Sequence, residues 1–236
     1  MLRSITISLA LLAAACAAEE SSTVGGTPAD ASSVVVATTP EVPDDRPVVV
    51  FLGTSLTAGL GLERDEDTYV ARLSELADSA GWPIRAVNAG VSGETSAGGL
   101  RRLDWVLREP LDVLVVELGA NDGLRGLDPF QLSSNLTEIA RRTRTRYPDA
   151  QIVIAGMQAP PNLGGLYTDA FRAIFTSVAD NEDALLIPFL LDGVAGVPEL
   201  NQSDGIHPTP EGHRILARNA WEVLSPLFAG LAGDRP

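Results

Sequence analysis

The sequence has no lysine, a single cysteine and two histidines. Aromatic residues make up only 5% of the 236 positions. One cysteine excludes an intrachain disulfide framework, and with two histidines it leaves too few ligands for a Cys/His zinc site. All 17 basic residues are arginines, against 31 acids, for a formal charge of -14. Nucleic acids and anionic lipid surfaces need a cationic footprint, so neither is expected as the main partner. No apolar run reaches the ~20 residues needed to span a bilayer. What is present in quantity is Ala, Val, Leu, Gly, Ser, Thr and Asp. Such a chain has to build its site chemistry from Ser, Asp, Asn, backbone amides and at most two imidazoles.

Residues 1–16 carry one early charge, Arg3, and then an apolar stretch ending in Leu12-Ala13-Ala14-Ala15-Cys16. This has the form of an export leader, with an apolar segment too short to span stably. Its end resembles the lipobox of bacterial lipoproteins, in which the cysteine is lipidated, although Ala13 stands where leucine is usual. Ordinary cleavage at an Ala-x-Ala site is the other reading. Export is expected on either, with membrane attachment only through a lipidated Cys16. Residues 17–45 are rich in Ala, Ser, Thr, Pro, Glu and Gly, too poor in periodic apolar surface to fold, and are expected to form a tether. The folded domain is expected over residues 46–236. The sequons at Asn135 and Asn201 are expected to be chance in a chain with a bacterial-type leader.

From Arg46 onward, short apolar runs alternate with amphipathic stretches. Strands are expected at 48–52, 84–88, 113–118, 151–157 and 184–188, mostly Val, Ile and Leu without alternation. That is the pattern of strands covered on both faces. Helices are expected at 68–80, 97–108, 129–147, 168–181 and 210–228. The alternation implies a three-layer α/β/α sandwich with a five-stranded parallel, flavodoxin-like sheet and right-handed crossovers. With no coiled-coil pattern and no long apolar edge strand, a monomer is expected.

Ligands of such sheets bind beyond the carboxyl ends of the strands. Four polar, glycine-bearing loops fall there, at 53–59, 89–95, 119–123 and 204–208. A serine becomes a nucleophile when an imidazole takes its proton and a carboxylate orients the imidazole. Asp204 precedes His207 by three residues, on a turn containing Gly205, so the pair can meet locally. His213 falls inside the last expected helix, where a structural or surface role is expected instead. Ser55, directly after the first strand, is the candidate nucleophile. Oxyanion donors are sought in the Ser55 and Gly93 amides and the Asn121 side chain. Turn geometry or helix capping would explain each of these residues singly. Their convergence on one rim favours a site.

These loops resemble the signature blocks of the SGNH (GDSL-type) hydrolases. Ser55 stands in the first, Gly93 in the second, Asn121 in Gly-Ala-Asn-Asp and His207 in Asp-Gly-Ile-His-Pro. The resemblance runs from about Val48 to the end of the chain. It is strongest to the exported thioesterase I, lysophospholipase and arylesterase branch through residues 88–96 and 116–126. It implies the SGNH hydrolase fold, a Ser55-His207-Asp204 triad, an oxyanion hole of Ser55, Gly93 and Asn121, and no metal or cofactor. The substrates implied are small acyl esters or thioesters, with acetylated sugars as the alternative. The family usually has Gly-Asp-Ser; Thr54 replaces that Asp, which braces the oxyanion loops, so a reduced rate is expected. An acyl groove is expected from residues 158–162, with Met157, Leu163 and Leu166. A non-catalytic binding module whose 54–59 loop cradles phosphate, or a relative that has lost turnover, are the competing readings.

Overall fold

The computed structural model describes residues 44–233. The expected leader ending at Cys16 lies outside the described residues, as does the 17–45 segment apart from Asp44 and Asp45.

Five parallel strands form one sheet: β1 (Val48–Gly53), β2 (Arg85–Gly90), β3 (Val113–Glu117), β4 (Gln151–Ala155) and β5 (Leu185–Ile187). Their order is β2-β1-β3-β4-β5. The chain steps from β1 to β2 in one direction and from β2 onward in the other. With right-handed crossovers, that reversal places the connecting helices on opposite faces. Helix α2 (Tyr69–Ser79) packs with α7 (Pro210–Gly233) on one face, while α3 (Ser96–Val106), α5 (Pro129–Arg146) and α6 (Gly165–Asn181) pack in series on the other. This is the expected three-layer α/β/α sandwich, and its switch point falls between β1 and β3, where a ligand crevice belongs.

The central strands read as apolar runs because both faces are covered. Every residue of β3 is buried, and all of β1 except Val48. Each fully buried Val or Leu there contributes roughly 1.5–3 kcal/mol. Phe171 and Phe175 add an edge-to-face pair at 5.4 Å. The edge strands differ: β2 is half-buried except at the exposed Asn88, and β5 has only three residues, which limits the free edge. Helix starts follow their caps. Thr68 accepts from the Ala71 amide, Thr95 from Gly98, and Asp128 from Phe130 ahead of Pro129.

Two short elements were not anticipated. The loops after β1 and β3 wind into single helical turns, α1 (Ser55–Ala58) and α4 (Ala120–Leu124). Neither has apolar periodicity long enough to read, because the turns are held from outside. Among the described residues no helix is long and apolar enough to cross a membrane.

Candidate active site

Ser55 opens α1 two residues beyond the end of β1. Gly53 lies in register with Glu117 on one side and Gly90 on the other, so the first turn sits directly over the middle of the sheet. As the first residue of a helix, Ser55 has an amide with no intrahelical acceptor. The approach is close: a Cβ at Gly90 would stand 2.3 Å from the Ala58 nitrogen, so only glycine lets β2 end against α1. The Asn88 side chain donates to the Thr57 carbonyl at 2.6 Å from the same side.

His207 reaches Ser55 across the fold, with Nε2 2.9 Å from Oγ. Its Nδ1 lies 2.6 Å from Asp204 Oδ2. Asp204 Oδ1 accepts the Ile206 and His207 amides at 2.9 and 3.0 Å. Those hydrogen bonds, led by the imidazole, hold the Asp204 carboxyl well below the usual carboxylate range. The turn needs Gly205, at φ +70. Gln202 secures this loop by donating to the Leu60 and Pro208 carbonyls at 2.8 and 3.0 Å.

Ser55, Gly93, Asn121 and His207 line a single cavity of about 210 Å³, walled by Leu56, Leu60, Ala120, Leu124, Leu191 and Ile206. All the sequence-nominated residues are therefore brought together, Asp204 from behind the imidazole. The Gly93 loop is fastened from two sides. Arg125 donates to the Gly93 carbonyl at 2.8 Å, and Glu94 pairs with Arg102 at 2.6 Å. Arg102 also donates to the Ala89 and Gly53 carbonyls at 2.7 and 3.2 Å, joining the ends of β2 and β1. Asp122, beside Asn121, accepts from the Ser96 amide and hydroxyl at 2.8 and 2.6 Å, which ties α4 to the start of α3.

His213 is elsewhere. It is buried in α7, stacks on Tyr69 and accepts the Tyr69 amide at Nδ1, 3.1 Å away. Burial pushes its pKa down to about 4. A neutral imidazole accepting a backbone hydrogen bond is a packing residue, so of the two roles expected for it the structural one holds and the surface one does not. The expected acyl groove does not line the Ser55 cavity: none of residues 157–163 or Leu166 is in its wall. Met157 is buried in the core and, with Leu163 and Leu166, is absent from the wall of the Ser55 cavity. That wall comes instead from α1, α4 and the loops carrying Leu191 and Ile206. A larger open hollow of about 670 Å³ lies along α2 and β2, but Ser55 and His207 take no part in its lining. Among the described residues no group of three or more His, Cys, Asp or Glu side chains is placed to hold a metal ion.

Sequence reasoning missed Glu117. It ends an apolar strand and is fully buried beneath the Ser55 turn. Its carboxyl accepts the Thr54 amide at 2.8 Å, the Thr54 hydroxyl at 3.0 Å, the Thr57 hydroxyl at 2.8 Å and the Thr57 amide at 3.3 Å. Burial pushes the Glu117 carboxyl up from its ordinary value, and these hydrogen bonds pull against that. The one signal in sequence was a charged residue closing the run Val-Leu-Val-Val. Because the Thr54 and Thr57 hydroxyls are spent inward on Glu117, neither faces the rim to cradle a phosphate.

A serine hydrogen-bonded to an imidazole that a carboxylate orients, at the carboxyl edge of a parallel sheet, is an arrangement built for acyl transfer. Residues 51–215 match the model of the GDSL-like Lipase/Acylhydrolase family. The esterase TesA of Pseudomonas aeruginosa is 43% identical over 181 residues, 76% of this chain and 89% of that protein. The thioesterase 1/protease 1/lysophospholipase L1 of Escherichia coli (strain K12) is 34% identical over 191 residues, 76% of this chain and 84% of that protein. The crystal structure of AlinE4, an SGNH-hydrolase family esterase, superimposes with a TM-score of 0.65 at 38% identity, covering 83% of this chain and all of that one. The chain belongs to the GDSL-like (SGNH) lipase/acylhydrolase family. It is, accordingly, a hydrolase.

Proposed function

We propose that the protein hydrolyses carboxylic esters and thioesters, with Ser55 as nucleophile, His207 as general base and then acid, and Asp204 as the group that orients the imidazole. The observation carrying this reading is the His207 ring bridging Ser55 Oγ at 2.9 Å and Asp204 at 2.6 Å. Relatives named as an esterase and a thioesterase support the substrate class. His207 Nε2 takes the hydroxyl proton as Oγ attacks the acyl carbon, and the carbonyl π electrons move onto its oxygen. The Ser55 and Gly93 amides and the Asn121 side chain receive that oxyanion. Collapse breaks the bond to the leaving oxygen or sulfur, which departs with the proton from His207. Water, deprotonated by the same imidazole, then releases the acid and regenerates Ser55. The leader reading extends the proposal to an exported enzyme, anchored if Cys16 is lipidated.

The test uses residues 46–236 and p-nitrophenyl esters from acetate to palmitate. Ser55→Ala should lower kcat at least about 10³-fold, leaving only what an oxyanion hole and binding supply. Hydrolysis that survives Ser55→Ala unchanged would rule the mechanism out.

A further inference from the structure

Helix α1 lacks the cap its own sequence should supply. Thr54 occupies the N-cap position, where a hydroxyl or carboxylate normally accepts the amide of the second or third helical residue. Its side chain makes no such bond. The hydroxyl turns away and donates to Glu117 at 3.0 Å. Glu117 Oε2 in turn accepts the Thr57 amide at 3.3 Å, the third amide of the helix. The acceptor that α1 needs therefore comes from the end of β3. Tyr69, buried in α2, extends the chain. Its hydroxyl lies 2.9 Å from Thr57 Oγ1, whose own proton is given to Glu117 at 2.8 Å. The Thr54 and Thr57 amides and hydroxyls all act as donors to this carboxylate, a set that suits its ionised form.

We propose that Glu117 is the positioning residue of the nucleophile turn, capping α1 from β3 in place of the N-cap side chain, with Thr54 acting through it. Thr54 and Thr57 flank Ser55 and Leu56, and their amides converge on one carboxylate. That convergence fixes the direction of the Ser55 amide and Oγ. It also accounts for Thr54: the charge that Asp brings to the N-cap in Gly-Asp-Ser is here supplied by a side chain already beneath the turn. Tyr69 is the titratable group facing Glu117 from α2. On the α3 side Arg102, paired with Glu94, holds the Gly53 carbonyl. The inference rests on Ser55 being the nucleophile.

The test measures p-nitrophenyl butyrate turnover per active site, with sites counted by the acylation burst and Ser55→Ala as baseline. Glu117→Gln keeps the shape but can turn amide protons toward donors. Its kcat should fall on the order of a hundredfold, with KM within about threefold, because misplacement of reacting groups is felt in the chemical step. Adding Thr54→Asp to Glu117→Gln returns a carboxylate to the N-cap and should regain about tenfold or more. Thr54→Val should lose about tenfold, and Thr54→Ser should stay near the parent. A Glu117→Gln protein within about twofold of the parent, or a double variant no faster than Glu117→Gln, overturns the proposal. If Glu117→Gln does not fold, equal rates for Thr54→Val and Thr54→Ser overturn it. A parent with no Ser55-dependent turnover would instead remove the reading on which it rests.

Discussion

The two halves of the candidate site are held in opposite ways. The Asp204–His207 loop is local. Its carboxylate is 46% exposed, its partners lie two and three residues away, and Gly205 supplies the one conformation a bulkier residue would resist. The Ser55 turn is global. It rests on a fully buried carboxylate from β3, a β2 end that approaches to van der Waals limits, and an imidazole 152 residues along the chain. A local device can be perturbed without cost to the fold. The buried one cannot, because its parts are also the centre of the sheet.

The sharpest way to break this comparison after Ser55→Ala and Glu117→Gln is Asp204→Asn. The substitution keeps the loop shape and removes the charge that orients the ring. It should lower kcat on the order of a hundredfold, less than the ~10⁴ seen for a fully buried triad carboxylate. The melting temperature should move by no more than about 2 °C, since exposed ion pairs contribute little. A large fall in melting temperature would show that the loop is not self-contained. Gly90→Ala tests the other half. A methyl group driven against the Ala58 nitrogen should cost about 1–3 kcal/mol and lower kcat/KM about tenfold or more as α1 shifts. Full activity with unchanged thermal stability would mean the turn is not braced by β2.

The last prediction concerns acid, and it touches stability while leaving turnover at neutral pH alone. His213 is neutral in the fold, its pKa pushed down to about 4 by burial. The unfolded chain takes up its proton near the ordinary value of about 6.5. The stabilisation is therefore complete above about pH 6.5 and is lost progressively as pH falls toward 4, by on the order of 3 kcal/mol in all. Chemical denaturation at pH 7 and pH 5 should show this slope, and His213→Gln should flatten it. Identical slopes in the two proteins would place the acid sensitivity in other groups.

Much of the site was legible because its signals are short-range. Asp204 and His207 are three residues apart with a glycine between them, and two histidines left little to choose from. The strands declared themselves as unbroken Val, Ile and Leu runs, so a parallel sheet with both faces covered followed. The places for Ser55, Gly93 and Asn121 followed from the rule that sites lie at the carboxyl ends of such strands. The wall of the cavity did not follow. Met157 was expected to face an acyl chain and is buried in the core, because helix and loop packing set its direction and strand periodicity does not.

The sequence alone determined the layer architecture, the rim and the Asp204–His207 pair, since period, composition and near-neighbour spacing are properties of short stretches. Only the tertiary structure decided what holds Ser55. Glu117 looks like the polar end of an apolar strand, and Thr54 looks like a weakened motif. Their partnership exists because β1 and β3 lie side by side in register, Gly53 opposite Glu117. A buried carboxylate takes its meaning from the donors around it, and those come from residues that sequence distance keeps apart.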